Sequence, residues 1–294
     1  DLSTIQKQIV DTQVWNALFE FQKDGVKGII NKMQSYNGCI LADSVGLGKT
    51  YEALAVIKYF ELRNDRVLVL CPKKLRENWT VYQAHNNSEL NIFLKDRFNY
   101  TVLSHTDLSR DGGFSGDIDL ANLNWGNYDL VVIDESHNFR NNTPSKRDDE
   151  GNIIRLSRYQ KLMQHIIQEG VNTRVLLLSA TPVNNTLKDL RNQIYFLTSG
   201  IDSAYYDTLG IHSIKDTLSA AQRTFTEWAK NNDNHNTRDL LSKFSSRFFK
   251  LLDALTIARS RKHIQRYYKE NIEKLGGFPK RLKPISKYPN IDLK

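Results

Sequence analysis

Short apolar runs alternate with amphipathic stretches along the first two thirds of the chain. Five runs rich in Val, Ile, Leu and Cys have the length of buried strands, and the segments between them carry apolar residues at helical spacing. This alternation is typical of a parallel sheet with crossover helices. The predicted strands are residues 39–42, 66–71, 100–103, 130–134 and 175–179, and the predicted helices are residues 15–33, 51–62, 75–84, 156–169 and 187–197.

The pattern changes after Thr198, where helical spacing continues without strands. Residues 220–231 and 239–258 predict a helical hairpin that follows the α/β part. Residues 107–127 and 140–151, rich in Gly, Asn and Asp, are predicted to be loops. A chain of 294 residues that is 40% hydrophobic can bury a sizeable core, as one large α/β domain or as one domain with a helical appendage.

The segment between the first strand and the second helix has the pattern of a phosphate-binding loop. Its glycines, Gly46 and Gly48, let backbone N–H groups approach phosphates, Lys49 would reach the β- and γ-phosphates, and the Thr50 hydroxyl would ligate Mg²⁺. The following helix would place its N-terminus at the phosphates. The first position of the usual pattern G-x-x-x-x-G-K-[ST] holds Asp43 rather than Gly, a departure from the rule. The segment predicts binding of ATP with Mg²⁺.

Two adjacent carboxylates follow the apolar run of residues 130–134. A strand beside the phosphate-loop strand would deliver Asp134 to the sheet edge, where an acidic residue can hold Mg²⁺. Glu135 could then polarise the attacking water. Asp134, Glu135 and Lys49 are therefore the candidate catalytic residues, with Thr50 and Asp134 as metal ligands.

These motifs, in this order, resemble the superfamily II helicases and translocases, and within them the Swi/Snf-type DNA-dependent ATPases. Phe-Gln-Lys-Asp-Gly-Val at 21–26 resembles the family's Q motif, whose glutamine reads the adenine edge, and residues 42–50 resemble its motif I. The usual Glu-Met of motif I is replaced by Ser44-Val45. The resemblance implies that nucleotide is bound by Gln22, Asp43, Val45, Gly46, Leu47, Gly48, Lys49, Thr50 and Tyr51.

Three further stretches carry the resemblance. Residues 67–79 are similar to motif Ia, which implies that Lys73, Lys74 and Asn78 contact the nucleic-acid backbone. Asp-Glu-Ser-His at 134–137 is similar to the family's Asp-Glu-x-His box, and Leu-Ser-Ala-Thr-Pro at 178–182 to motif III. The implied role of His137, Ser179 and Thr181 is to couple the state of the γ-phosphate to the nucleic-acid groove.

The resemblance also implies the domain organisation. Residues 1–198 would form a RecA-like α/β lobe, a P-loop fold with helices on both faces of a parallel sheet. Residues 199–258 would form the helical insertion after motif III, and residues 259–294 a basic linker toward a second lobe. No segment resembles motifs IV to VI, including the arginine-rich motif that completes the ATP site from the other lobe. We therefore expect the chain to be part of a longer protein.

Charge is concentrated at the C-terminal end. The first 258 residues contain 30 basic and 30 acidic residues, whereas the last 36 contain 11 basic and 3 acidic residues and account for the net charge of +8. With aromatic residues such as Tyr267 and Tyr288 interleaved, this segment could bind phosphate backbones, or it could be a solvated linker.

Composition narrows the class of protein further. The two cysteines, Cys39 and Cys71, both lie in apolar runs and are expected to be reduced core residues rather than a disulfide or metal site. No apolar run approaches the roughly 18 residues of a membrane span, and the N-terminus lacks a signal pattern. We expect a soluble cytoplasmic protein associated with DNA.

The sequence therefore predicts the ATP-binding first lobe of an ATP-dependent DNA translocase or remodelling enzyme, with duplex DNA and a second lobe as partners. Two alternatives remain open at this stage. The chain could belong to a strand-separating helicase or a restriction-system motor, or it could be a nucleotide-gated scaffold that binds ATP and DNA without turnover. RNA instead of DNA is also open, although the helical hairpin after motif III favours duplex DNA by resemblance.

Overall fold

A computed structural model describes residues 8–230, residues 236–269 and Glu273. Its centre is a six-stranded sheet, and two small hairpins lie outside this sheet. In chain order the strands are β1 (Gly38–Leu41), β2 (Val67–Cys71), β3 (Thr101–Ser104), β4 (Phe114–Ser115), β5 (Ile118–Asp119), β6 (Leu130–Asp134), β7 (Lys146–Arg147), β8 (Ile153–Arg155), β9 (Arg174–Leu178) and β10 (Thr256–Ile257).

The order of strands in the central sheet is β10-β1-β9-β6-β2-β3, and every neighbouring pair is parallel. This confirms the predicted parallel α/β sheet of the RecA-like class. Strands β1 and β6 both pair with β9, and the register sets Leu41 and Asp134 level with Leu178. The loops after these three strands therefore leave the sheet side by side, where the carboxyl ends of parallel strands commonly build a binding site.

Helices cover both faces of the sheet, as the strand sequences require. Alternate strand residues enter separate apolar clusters: Cys39, Leu41, Val69 and Val132 face one side, while Ile40, Leu70, Ile133 and Leu177 face the other. The α-helices are α1 (Gln13–Ala17), α2 (Glu20–Tyr36), α3 (Lys49–Glu61), α4 (Glu77–Thr80), α5 (Arg158–Lys161), α6 (Leu187–Leu197), α7 (Tyr206–Leu209), α8 (Ile214–Lys230), α9 (Thr237–Lys243), α10 (Ser246–Leu255) and α11 (Arg261–Tyr267).

Shorter helical segments complete the described structure. Single 3₁₀ segments follow several strands, and a π-helix continues directly from α5. The 3₁₀ segments are Lys73–Leu75, Leu94–Asp96, His105–Ser109 and Ser136–Phe139, and the π-helix is Leu162–Gln168.

The prediction of uninterrupted helix over residues 239–258, with no strand after Thr198, is wrong. The helical pattern breaks before Ser245, whose side chain caps α10 by accepting from the Phe248 N–H. The chain then extends, and β10 pairs with Ile40 and Leu41 of β1. Two β-branched residues beside an unpaired sheet edge form strand more readily than helix. After helices α7 to α10, here called the helical subdomain, the chain thus comes back to β1, the strand that precedes the phosphate loop.

Other predicted elements differ in extent. The predicted helix at 15–33 is interrupted between α1 and α2, and that at 75–84 contains only the single turn α4. The predicted loops at 107–127 and 140–151 contain hairpin strands β4, β5 and β7. Two-residue strands of this kind carry too little periodicity to be detected from sequence.

Both cysteine thiols lie in the core, as expected. Cys39 and Cys71 are free and fully buried, and burial raises the pKa of each to about 12. Among the described residues, no helix combines the length and the apolar character that crossing a membrane would need.

Candidate functional site

The phosphate-loop pattern forms the turn between β1 and α3. Gly46 and Gly48 adopt φ angles of 85° and 82°, in the left-handed region that favours glycine. A Cβ at Gly48 would also clash with the side-chain Nε2 of Gln22. Because α3 begins at Lys49, the loop presents a helix N-terminus and its free N–H groups, an arrangement suited to phosphate.

Lys49 and its neighbours lie where the pattern places them. The Lys49 Nζ donates to the backbone carbonyl of Asp43 at 2.8 Å, so the ammonium spans the mouth of the loop. Val45 is 63% exposed at the tip, and Leu47 is buried beneath it. Thr50 and Tyr51 occupy the first turn of α3 and are half-buried.

Gln22 lies against the loop, and both the oxygen and the nitrogen of its side-chain amide make hydrogen bonds within the protein. Its Oε1 accepts from the Phe19 N–H at 2.9 Å, which starts α2, and its Nε2 donates to the Leu47 carbonyl at 2.9 Å. Gln22 is buried, so the amide connects α2 to the phosphate loop. Adenine recognition by Gln22 stays a prediction.

The carboxylate of Asp134 sits at the end of β6 and is held by two donors. The Trp79 Nε1 donates to Oδ2 at 3.0 Å, and the Glu135 backbone N–H donates to Oδ1 at 2.9 Å. Burial raises the pKa of Asp134, and the Trp79 hydrogen bond and the Lys49 charge counteract that rise. This role of Trp79 could not be predicted, because an indole within motif Ia is equally typical of a core residue.

Glu135 has an uncommon backbone conformation, with φ 50° and ψ 49°. A non-glycine residue in the left-handed region costs energy and is held there by its surroundings, and such residues cluster at functional sites. The Glu135 side chain is 40% exposed and lies against the His137 ring, whereas the Asp134 carboxylate is bonded to Trp79. The two carboxylates therefore have different environments, one shielded and one accessible to water.

His137 connects the loop after β6 to the loop after β9. Its Nδ1 lies 3.2 Å from the Glu135 Oε2 and 3.1 Å from the Ser179 Oγ. The same Ser179 oxygen accepts from the Thr181 N–H at 3.1 Å. A continuous polar path thus runs from Glu135 to Thr181. Its geometry suits the predicted coupling, whose role stays a prediction.

A second connection, through the fully buried Ser136 and Gln193, runs beside the first. The Ser136 hydroxyl donates to the Gln193 Oε1 at 2.8 Å, and the Gln193 Nε2 donates to the carbonyls of Pro182 and Asp189. Gln193 lies on α6 among apolar residues, and nothing in its spacing marks it. Buried amides bonded on both ends rigidify their surroundings, so Gln193 fixes the two loops relative to each other.

The candidate nucleic-acid residues lie on the surface near the site. Lys73 and Lys74, in the 3₁₀ turn after β2, and Asn78, on α4, are exposed. Asn78 and Tyr51 line one open hollow of about 680 Å³ beside the start of α3. These side chains are available to a ligand next to the phosphate loop.

The oxygen donors present suit a magnesium ion that is shared with phosphates. Such an ion is bound by one or two protein oxygens, with water and phosphate oxygens completing an octahedron. Thr50 supplies one hydroxyl from the first turn of α3, and Asp134 supplies one carboxylate at the end of β6. The prediction that the Asp134 strand lies beside the phosphate-loop strand is wrong, because β9 lies between β1 and β6. Among the described residues no group of three or more His, Cys, Asp or Glu could hold an ion alone. A metal carried by a nucleotide fits this donor set better than a resident metal.

Asp43, the first residue of the loop pattern, is bonded within the protein, and its contact with nucleotide stays a prediction. Its carboxylate is fully buried and accepts from Arg259, just after β10. In the sequence Arg259 is only one residue of a basic segment. Its contact with Asp43 could not be predicted, because the pairing of β10 with β1 could not be predicted.

Comparison with known proteins agrees with this geometry. A family model described as the SNF2-related domain matches residues 21–111. A chromodomain-helicase-DNA-binding protein 1-like from Danio rerio is 25% identical over 62% of this chain and 17% of its own length. The ATP-dependent helicase FUN30 of Saccharomyces cerevisiae is 26% identical over 75% of this chain and 18% of its own length. The chain thus spans about a fifth of such relatives.

Among solved structures, the chain is similar to the Sulfolobus solfataricus SWI2/SNF2 ATPase core in complex with dsDNA. The similarity covers 85% of this chain and 45% of that structure's chain, with 18% sequence identity and a TM-score of 0.47. The sequence matches show that the chain is similar to proteins with an SNF2-related domain, and its phosphate loop lies at the end of a strand of a parallel sheet.

Proposed function

We propose that this chain is the ATP-binding first motor lobe of an ATP-dependent DNA translocase or remodelling enzyme. One observation carries the proposal. The carboxyl ends of β1, β6 and β9 are level, and the loops after β6 and β9 are joined by the His137–Ser179 contact. A change in the position of Glu135 would therefore reach the loop at Thr181 through His137 and Ser179.

The chemistry follows from the positions of four side chains. Lys49 and Thr50 would hold the phosphates and Mg²⁺ at the start of α3, and Asp134 would contribute a second metal ligand. The chemistry that the metal would supply when bound is neutralisation of phosphate charge. Glu135, half exposed beside this position, orients the attacking water. Phosphoryl transfer needs such positioning more than covalent participation by the protein.

Duplex DNA is the proposed partner. Two lysines and an asparagine on the exposed surface after β2 would contact phosphates: Lys73, Lys74 and Asn78. Contacts of this kind position a protein on the DNA backbone and depend on salt through counterion release.

The same proposal includes a second lobe, a DNA-associated location in the cytoplasm and the domain bounds 1–198, 199–258 and 259–294. Tyr288 and most of the basic segment after residue 269 lie outside the described residues.

The direct test is binding of labelled duplex DNA by the 294-residue chain across a salt series. We expect measurable affinity at low salt and weaker binding by the Lys73→Ala/Lys74→Ala variant. The slope of log affinity against log salt should fall by about 0.9 for each lost phosphate contact.

A matched control removes two exposed lysines elsewhere, Lys27 on α2 and Lys95 in a 3₁₀ turn. Lys27→Ala/Lys95→Ala should bind DNA as the unmodified chain does. Equal losses in both double variants would mean general charge attraction, and no DNA binding at low salt would overturn the proposal. A single-stranded competitor that displaces duplex fully would favour a strand-separating helicase.

A further inference from the structure

The segment after the helical subdomain lies directly on the phosphate loop. The backbone N–H of Ala42 donates to the Ile257 carbonyl at 2.7 Å, and that of Ser44 donates to the Arg259 carbonyl at 3.0 Å. These bonds extend the β1–β10 pairing into the loop itself. The start of the loop is thereby held by Ile257 and Arg259 as well as by β1.

Arg259 is the centre of this contact. Its backbone N–H and its Nε donate to the Asp43 Oδ1 at 2.7 and 3.1 Å, and the Nε also lies 2.9 Å from Oδ2. The Nη2 contacts both Asp43 and Glu52. Both carboxylates are fully buried, one at the first loop position and the other on α3. Arg259, Asp43 and Glu52 are called the Arg259 cluster below.

The guanidinium also reaches α2. Its Nη1 donates to the Phe21 carbonyl, and it lies 5.4 Å from the centre of the Phe21 ring. A Cβ on Gly25 would clash with the Glu52 Oε1 and with the guanidinium, so glycine leaves the space that this arrangement needs. One arginine thus connects α2, the loop and α3.

Residues beyond Arg259 continue along the loop. The Arg261 Nη2 donates to the Val45 carbonyl at 3.2 Å, next to Gly46. On α11, Ile264 is fully buried against Phe21 and Leu47. The segment therefore contacts the loop at its start, at its tip and underneath.

We infer that Arg259 is a positioning residue for the phosphate loop, which sets nucleotide affinity without contacting the nucleotide. The inference rests on the proposed nucleotide site and explains why Asp replaces Gly at the first position of the loop. A buried carboxylate there is stable only with a partner, and a bidentate arginine fixes direction as well as charge. The same contact connects the loop to the segment after β10. Displacement of that segment would therefore move the loop and change how it holds the phosphates.

The test is titration of the 294-residue chain with a fluorescent ATP analogue and Mg²⁺, beside thermal unfolding without nucleotide. We expect Arg259→Met to weaken binding about tenfold or more, the scale of a lost charge-assisted hydrogen bond. Arg259→Lys, which keeps the charge but not the fork, should give an intermediate affinity. Lys250→Met, an exposed change on α10, is the matched control and should bind normally.

A triple variant separates positioning from simple charge burial. Arg259→Met with Asp43→Asn and Glu52→Gln removes all three ionisable groups of the Arg259 cluster and leaves no buried ion unpaired. We expect its stability to recover relative to Arg259→Met while its affinity stays low. Recovery of affinity along with stability would overturn the positioning role.

Gly25→Ala gives an independent check. Alanine favours helix over glycine, so α2 itself should gain stability, while the added Cβ displaces the Glu52 and Arg259 side chains. We expect affinity to fall without loss of helix content. Unchanged affinity in both Arg259→Met and Gly25→Ala would overturn the inference alone, whereas no binding by the unmodified chain would overturn the nucleotide site and the inference with it.

Discussion

The indole Nε1 of Trp79 donates to the Asp134 Oδ2 at 3.0 Å, so a residue of α4 orients the carboxylate at the end of β6. Trp79 is fully buried, and the Tyr100 hydroxyl donates to its carbonyl at 2.5 Å. The candidate nucleic-acid surface and the candidate metal ligand therefore share one rigid support. Movement of α4 would be transmitted to Asp134 through a single side chain.

We expect Trp79→Phe to loosen Asp134 while it keeps the aromatic packing. The lost donor leaves a buried acceptor, which lowers the free energy of unfolding by about 1–3 kcal/mol. The Mg²⁺ concentration needed for half-maximal ATP binding should rise. Urea unfolding and a Mg²⁺ titration at fixed nucleotide measure the two effects.

Trp125→Phe is the control for that change, since this indole lies away from the phosphate loop with the Lys161 Nζ 4.6 Å from its ring. It should leave the Mg²⁺ titration unchanged. If Trp79→Phe also leaves the titration unchanged, Trp79 is a packing residue and Asp134 does not depend on it.

Ser179→Ala should interrupt the path from His137 to Thr181. The Thr181 N–H loses its acceptor, so its amide should exchange faster. In the unmodified chain, ATP with Mg²⁺ should slow exchange over residues 179–186, and the variant should lose this response while it still binds nucleotide. Hydrogen exchange by mass spectrometry measures both states, and an equal response in the two proteins would argue against the path.

Glu135→Gln should separate binding from hydrolysis. The amide keeps the size of the side chain but cannot orient the water as a base, so hydrolysis of bound ATP should fall by about 10²- to 10⁴-fold. Nucleotide affinity should change little. Because no arginine-rich motif of the second lobe is recognisable in the sequence, the 294-residue chain alone should hydrolyse slowly. The comparison is therefore made under single-turnover conditions, and near-normal hydrolysis in Glu135→Gln would exclude Glu135 as the base.

The parallel sheet and the motifs that follow β1, β2, β6 and β9 were predictable, because apolar runs and glycine patterns are local signals. The strand ending at Asp134 was predicted with its observed bounds. Contacts between distant segments were not accessible in this way. Arg259 lies 216 residues from Asp43, and only the folded chain shows that β10 brings them together.

The same limit applies to side chains with two plausible roles. Trp79 and Gln193 occupy positions that ordinary packing would also explain, and their hydrogen bonds to Asp134 and Ser136 depend on the spacing between loops. The resemblance implies that Gln22 recognises adenine. In the structure its side-chain amide makes hydrogen bonds to the backbone of Phe19 and Leu47.

The central claim is that the loop after β1 binds nucleotide phosphates, and Lys49→Ala tests it most directly. The variant is titrated with a fluorescent ATP analogue and Mg²⁺ beside the unmodified chain and Lys27→Ala, with circular dichroism to check the fold. Because the ammonium lies at the mouth of the loop, we expect affinity to fall at least about tenfold in Lys49→Ala alone, with unchanged dichroism. Equal affinity in all three proteins would contradict the account.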